Sequence, residues 1–124
     1  MRRRRATLSL PVNGEAVRVP GIAHLHCASC GEKLLSYEEA GALERGALAR
    51  YRARHGLLSP EEIRTLRERL GLTQASLARL LRLGANTMSR WEAGRNVQTA
   101  AMDVLLRLLR DVPGSLAYLR RHAA

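Results

Sequence analysis

An amide and a guanidinium lie four residues apart at Asn86 and Arg90, in a stretch from Gly84 to Arg95 that holds a single carboxylate, Glu92. Asparagine can pair bidentately with adenine and arginine with guanine in the major groove of a duplex. Residues four apart on a helix project from one face, so a helix here would offer both groups to base edges together. A solvent-facing helix normally carries salt-bridging Glu and Lys. This one carries Asn86, Thr87, Ser89 and Arg90, short hydrogen-bonders and a fork-shaped cation.

A second group with chemical potential is the pair Cys27 and Cys30. The two are too close to staple the chain usefully, and in a reducing cytoplasm such spacing points to metal or redox chemistry. No βαβ pattern surrounds them, which disfavours the redox reading, and two thiolates alone fall short of the four ligands of structural zinc. The four histidines, His24, His26, His55 and His122, sit in no nucleophile, acid–base or phosphate-loop motif, so an enzyme is not expected.

The elements that must position Asn86 and Arg90 follow from the pattern between Gln74 and Arg95. Leu77, Ala78 and Leu81 make one apolar stripe on a first short helix, and Ala78 is small enough for a second helix to cross closely. Arg82-Leu83-Gly84 is the turn before a helix over 85–93 that keeps only Met88 and Trp91 apolar. Upstream, Ser59-Pro60-Glu61-Glu62 opens a helix with N-cap, proline at N1 and acids in the first turn, and Ile63, Leu66 and Leu70 line it until Gly71. Thr73 caps the helix that begins at Gln74. Downstream, Gln98 or Thr99 starts a helix to Arg110 with Ala101, Val104, Leu105, Leu108 and Leu109 as its apolar face; Val112-Pro113-Gly114-Ser115 breaks it, and Leu116 to Arg121 forms a last short helix.

The N-terminal third reads differently. Thr7 to Leu10 and Ala16 to Val19 alternate apolar with polar around Asn13-Gly14, a turn that tolerates positive φ, so they predict a β-hairpin. Ile22 to His26 adds a third short strand before the cysteine knuckle. Ser36 and Glu39 form a capping box, which starts a connecting helix to His55 with a thin stripe of Ala40, Leu43, Ala47 and Tyr51 and a break near Gly46.

Composition bounds the partner. The 124 residues carry 21 basic against 11 acidic side chains, a net charge of +10, and every basic residue except Lys33 is arginine. Such a balance argues for a polyanion, of which nucleic acid is the commonest. No apolar run approaches the ~20 residues a membrane span needs. Arg2 to Arg5 resemble the charged end of a signal peptide, but no apolar core follows, so a cytoplasmic protein with no membrane partner is expected. Phe is absent and aromatics are 3%, leaving Leu and Ala to build a helical core. The scarcity of aromatic stacking platforms disfavours general RNA binding.

The stretch from Ser59 to Arg110 resembles a Cro/CI-type (XRE) helix-turn-helix domain, through Leu72-Thr73-Gln74, Leu77-Ala78-Arg79-Leu80-Leu81 and Asn86 to Arg95. Over roughly residues 7 to 120 the chain is similar to MqsA-type antitoxins, which join a YgiT-type zinc finger to such a domain. The resemblance implies a mainly α fold: a β-hairpin or zinc-finger-like module over 1–35, a connecting helix over 36–58, and a five-helix lambda-repressor-like domain for DNA binding and dimerisation over 59–124. Asn86 and Arg90 match positions that read bases in the family. Gln74, Arg79, Thr87, Ser89 and Arg95 flank the groove as contacts to the DNA backbone. Trp91 is expected to pack inward and Glu92 to serve as a structural hydrogen-bonder.

The implied function is a sequence-specific transcriptional repressor, the autoregulating antitoxin of a type II toxin–antitoxin pair. It would act as a homodimer on a palindromic operator, with a ribonuclease-like toxin as partner; a stand-alone XRE-type or phage-type regulator without a toxin is the alternative. One recognition helix reads only a few base pairs, which is why two half-sites about a helical turn apart, or a multiple of it, are expected.

Two positions depart from the family pattern. Arg82 stands where glycine is usual, at a cost of about 1 kcal/mol if φ is positive, and Gly84 replaces the usual N-cap serine. A YgiT-type finger holds zinc through two Cys-x-x-Cys pairs, and only Cys27 and Cys30 are present. Three readings stand open: a zinc-free hairpin with spare thiols; a Cys2His2 set completed by His24 and His26, within one chain or across a dimer; or a natural start upstream of Met1 that carries the first pair.

Overall fold

The computed structural model describes residues 1–122. Among them run three strands, β1 (Arg2–Val12), β2 (Glu15–His26) and β3 (Lys33–Leu34), and six helices, α1 (Tyr37–His55), α2 (Pro60–Arg69), α3 (Gln74–Leu80), α4 (Thr87–Glu92), α5 (Ala100–Asp111) and α6 (Ser115–His122). The chain forms two compact units, Met1–His55 and a second that begins at Gly56. About half of it is helical, beside a three-stranded antiparallel sheet ordered β1-β2-β3.

The hairpin turns at Asn13 and Gly14, both at positive φ (49° and 83°), the requirement of the tight turn that matches strand twist. It runs much further than the alternating segments predict: Val12 faces Glu15 and the pairing continues to Arg2 opposite His26. Ile22 to His26 is therefore not a third strand but the far half of β2, and the four-arginine run is its partner. The third strand lies beyond the knuckle, where Lys33 and Leu34 pair with His26 and Leu25.

Pro20-Gly21 hid this continuity. Ala6 faces Ile22 and Leu8 faces Val19, so two steps on β1 match three on β2 and the extra residue is a bulge. Gly21 takes φ 70° there, and the buried side of β2 passes from Val17 and Val19 to Ile22 and His24.

Helix α1 covers this sheet within the first unit through Leu43, Ala47, Leu48 and Arg52, whereas Ala40 is exposed and Tyr51 half-buried. The expected break near Gly46 does not occur. A Cβ at that position would lie 2.7 Å from Val19 Cγ1, so glycine is where the helix backbone comes closest to the strand. The capping box forms: Ser36 N donates to Glu39 Oε1 (2.9 Å) and Glu39 N to Ser36 Oγ (3.1 Å). Ion pairs tie both helix ends to strands, Arg3 with Glu39 and Arg54 with Glu15 (3.2 Å), and His55 Nε2 lies 2.8 Å from the Glu15 carboxylate.

In the second unit Ser59 caps α2 reciprocally with Glu62, with Pro60 at N1. The core gathers Leu58, Ile63, Leu66, Leu77, Ala78, Leu81, Met88, Trp91, Leu106 and Leu109. Helix α5 follows its predicted apolar face only in part: Leu109 is buried and Leu105 packs against the core, together with the unpredicted Leu106, while Val104 (57% exposed), Leu108 (45%) and Ala101 face outward. The cause is Asp103. Its carboxylate is buried and accepts from Leu58 N (2.8 Å), Gln98 Nε2 (3.1 Å) and Arg107 Nε (2.8 Å), and Gln98 also donates to Leu58 O (2.9 Å). Once that network faces inward, the face centred on Leu106 goes with it, and an apolar stripe stays at the surface.

Candidate nucleic-acid interface

Helix α3 starts where Thr73 Oγ1 accepts from Ser76 N (3.0 Å) while Ser76 Oγ accepts from Thr73 N (2.9 Å). It ends in a double closure: Leu83 N donates to Ala78 O (2.8 Å) and Arg82 N to Arg79 O (3.1 Å), the pattern that needs a left-handed residue between them. Arg82 fills that position at φ 57°. A Cβ-bearing residue there costs about 1 kcal/mol.

Helix α4 is shorter than expected. It runs over Thr87–Glu92 with Asn86, not Gly84, at the N-cap. Gly84 brings no side-chain oxygen to receive the first N–H groups; its carbonyl accepts from Thr87 N (3.1 Å) in a tight turn that delays the helix. The Asn86 side chain makes no capping bond, which leaves its amide uncommitted. Arg90 N donates to Asn86 O (3.1 Å), one turn on, and both side chains are exposed. Met88 and Trp91 are buried on the other side.

Besides Met88 and Trp91 in the core, an ion pair holds α4 in place. Arg67 of α2 donates Nε to Glu92 Oε2 (2.8 Å) and Nη2 to Glu92 Oε1 (2.9 Å), and its Nη1 donates to Leu72 O (2.9 Å). Gln74 Nε2 joins the same carboxylate at 3.2 Å. The amide expected beside a phosphate is thus engaged at the junction of the α3 start and the α4 end. Thr87 and Ser89 are half-buried, and the Ser89 hydroxyl donates to Asn86 O (2.9 Å).

The arginines of the second unit differ in their partners. Arg64, Arg67, Arg107 and Arg110 of the same unit all pair with carboxylates. Arg79, Arg82, Arg90 and Arg95 are exposed, and among the described residues no carboxylate pairs with them. Arg82 was not among the sequence candidates, because a turn residue in place of a family glycine reads as a defect; it is exposed in the turn between α3 and α4 and no carboxylate of the described residues pairs with it.

The cysteine knuckle closes on itself, with Cys27 N donating to Glu32 O (2.9 Å) and Gly31 N to Cys27 O (2.8 Å). Hydrogen bonds from Ser29 and then Cys30 lower the Cys27 thiol to about 6. Zinc of the family's kind does not fit one chain. Among the described residues no three His, Cys, Asp or Glu side chains are placed to hold a metal. His24 in particular is fully buried with Nδ1 against Ile22 O (2.9 Å), and its ring centroid is 6.4 Å from that of His26. The Cys2His2 set is therefore not assembled within the chain.

Comparison with known proteins places this geometry in context. Residues 1–120 match the family model described as the antitoxin component of a bacterial toxin–antitoxin system, MqsA. The chain is 31% identical over 108 residues to the antitoxin MqsA of Escherichia coli K12, covering 86% of this chain and 82% of that protein. It is 34% identical over 62 residues to the antitoxin HigA-2 of Vibrio cholerae serotype O1, covering 50% of this chain and 60% of that relative's length.

Proposed function

The chain belongs to the family of MqsA, the antitoxin component of a bacterial toxin–antitoxin system, and from that premise we propose that it is a sequence-specific DNA-binding repressor that controls its own promoter. In this reading α3 and α4 are the helix-turn-helix of a five-helix domain spanning α2 to α6. Asn86 and Arg90 read bases. Arg79, Thr87, Ser89 and Arg95 hold phosphates, Arg82 joins them, and Gln74 reaches the backbone while anchored to Glu92. The observation that carries the proposal is the exposed, uncommitted pair of Asn86 and Arg90 on a helix whose other side is buried.

A second copy completes the reading. Val104, Leu108 and Val112 recur every four residues along α5 and its C-cap as exposed apolar side chains, and Leu108 and Val112 line a cavity of about 400 Å³ together with Tyr118 of α6. Patches of this kind mark interaction sites, and a two-fold pairing across this one would present two recognition helices to a palindrome. The first unit is the candidate surface for a cognate toxin. No described helix is long and apolar enough to cross a membrane. The test is protection of the chain's own promoter: Arg90→Ala should lose the footprint while keeping weak, salt-sensitive binding to any duplex. An unchanged footprint refutes the assignment.

A further inference from the structure

The open end of the hairpin in the first unit carries charge that the repressor reading does not use. Alternation along β1 puts Arg2 and Arg4 on the face that holds Leu8 and Val12 further on, and Arg3 and Arg5 on the other. The second pair is committed, Arg3 to Glu39 and Arg5 Nη1 to Gly21 O (2.9 Å). Arg2 and Arg4 meet no carboxylate among the described residues. Strand pairing sets them opposite His26 and His24, and at that end opens a cavity of about 450 Å³. Its wall includes Arg2, Arg3, Arg4, His26, Cys27 and Ser29, and no acidic side chain lines it.

We propose that this cavity binds a small anion carrying two or more phosphate groups, with Arg2 and Arg4 as the clamp. Geometry argues first. Residues two apart on a strand sit about 6.5 Å from each other on one face. Two planar guanidinium groups so placed can close on neighbouring phosphates, each through a pair of parallel N–H···O bonds. The volume lies within the ~300–1,000 Å³ range of small-molecule sites, and a concave space of that size suits a nucleotide-sized ligand better than the rod of a duplex.

The neighbours report the sign of the local field. His26 Nε2 lies 3.4 Å from Arg4 Nη1, and a guanidinium only donates, so this approach suits an unprotonated ring nitrogen. Desolvation, then repulsion from Arg4, His24 and Lys33, pushes the His26 pKa down. Cys27 is the opposing term. Hydrogen bonds from Ser29 and then Cys30 lower its thiol to about 6, and the resulting thiolate partly offsets the guanidinium groups. Glu32, the acid that follows the knuckle, is not on the cavity wall. An arriving anion therefore meets net positive charge, and loses nothing if the Cys27 sulfur is removed.

The test is calorimetric titration of the full-length chain with pyrophosphate and with ADP at low and high salt, beside a random-sequence duplex. One polyphosphate per chain is expected, bound more weakly as salt rises. Arg2→Ala and Arg4→Ala should each weaken binding by roughly 10-fold or more, the scale of a lost hydrogen bond to a charged group. Arg5→Ala removes the same charge from the opposite face and should leave the affinity nearly unchanged, and Cys27→Ser should bind as tightly as wild type or more tightly. Circular dichroism would confirm that the variants fold. Four results would overturn the proposal: no binding of either polyphosphate at millimolar concentration, a loss in Arg5→Ala equal to that in Arg2→Ala and Arg4→Ala, an equal loss in Cys27→Ser, or losses confined to the duplex. Arg90→Ala should keep polyphosphate binding while it loses the promoter footprint, so the failure of one proposal is distinguishable from the failure of the other.

Discussion

Removing the carboxylate of Glu92 should strongly destabilise the second unit. The Arg67 and Glu92 side chains are only 13% and 5% exposed and share two short hydrogen bonds. Glu92→Ala leaves a guanidinium in a largely dry site with one remaining partner, Leu72 O. Breaking a buried pair from one side costs about 3–5 kcal/mol, because the orphaned charge keeps its desolvation penalty. At ~4–8 °C per kcal/mol for a domain of this size, the lower bound of ~3 kcal/mol lowers the midpoint by roughly 12–24 °C. Trp91, the sole tryptophan, is buried in the same core, so its fluorescence follows the second unit alone. Arg67→Met combined with Glu92→Leu should recover most of the loss, since a well-packed apolar pair can match a buried ion pair. A shift in Glu92→Ala worth less than about 1 kcal/mol, or a double variant no more stable than the single, would refute the reasoning.

Two further outcomes follow from specific contacts. Gly46→Ala should destabilise the first unit by about 1–3 kcal/mol despite better helix propensity, because the new methyl meets the stiff, buried Val19 at 2.7 Å, and Val19→Ala should restore stability to the double variant, as read by chemical denaturation followed by far-UV circular dichroism. Arg82→Gly should raise the Trp91-monitored midpoint by the equivalent of about 1 kcal/mol by relieving the positive φ, while weakening DNA binding if the guanidinium meets a phosphate.

Asp103 supplies an acid-sensitive term. Burial raises its pKa, but the Leu58 N–H, Arg107 and Gln98 outweigh that and hold the carboxyl below the ordinary range. Its stabilising contribution is complete above the unfolded value of about 4 and is lost as pH falls through the lower folded value. Asp103→Asn should therefore flatten the acid limb of a stability–pH profile below about pH 4; an unchanged limb would show that another carboxylate governs it.

The parts of the fold that could be read from sequence are those set by local chemistry. Ser36, Ser59, Thr73 and Thr99 each begin a helix because their hydroxyls receive the first N–H groups, and Asn13-Gly14 turns because both accept positive φ. The parts that could not be read depend on distant partners. Pro20-Gly21 reads as a strand end, yet β1 supplies pairing on both sides and makes it a bulge. Of the five apolar residues picked on α5, Leu105 and Leu109 pack inward and the other three do not, because the buried Asp103 is held through Leu58, Gln98 and Arg107.

The site divides in the same way. Exposure of Asn86 and Arg90 followed from helical period and the inward pair Met88 and Trp91. The start of α4 at Thr87 and the tie from Gln74 to Glu92 did not, because each depends on a residue that contributes little by its type alone.

The most direct measurement is selection of bound duplexes from a random DNA pool by the wild-type chain, Asn86→Ala and Arg90→Ala side by side. A palindromic motif is expected from wild type, with an adenine-centred position relaxed in Asn86→Ala and a guanine-centred one in Arg90→Ala, each by roughly 1–3 kcal/mol of discrimination. Identical motifs from all three proteins, or no motif from wild type, would contradict base reading by this helix.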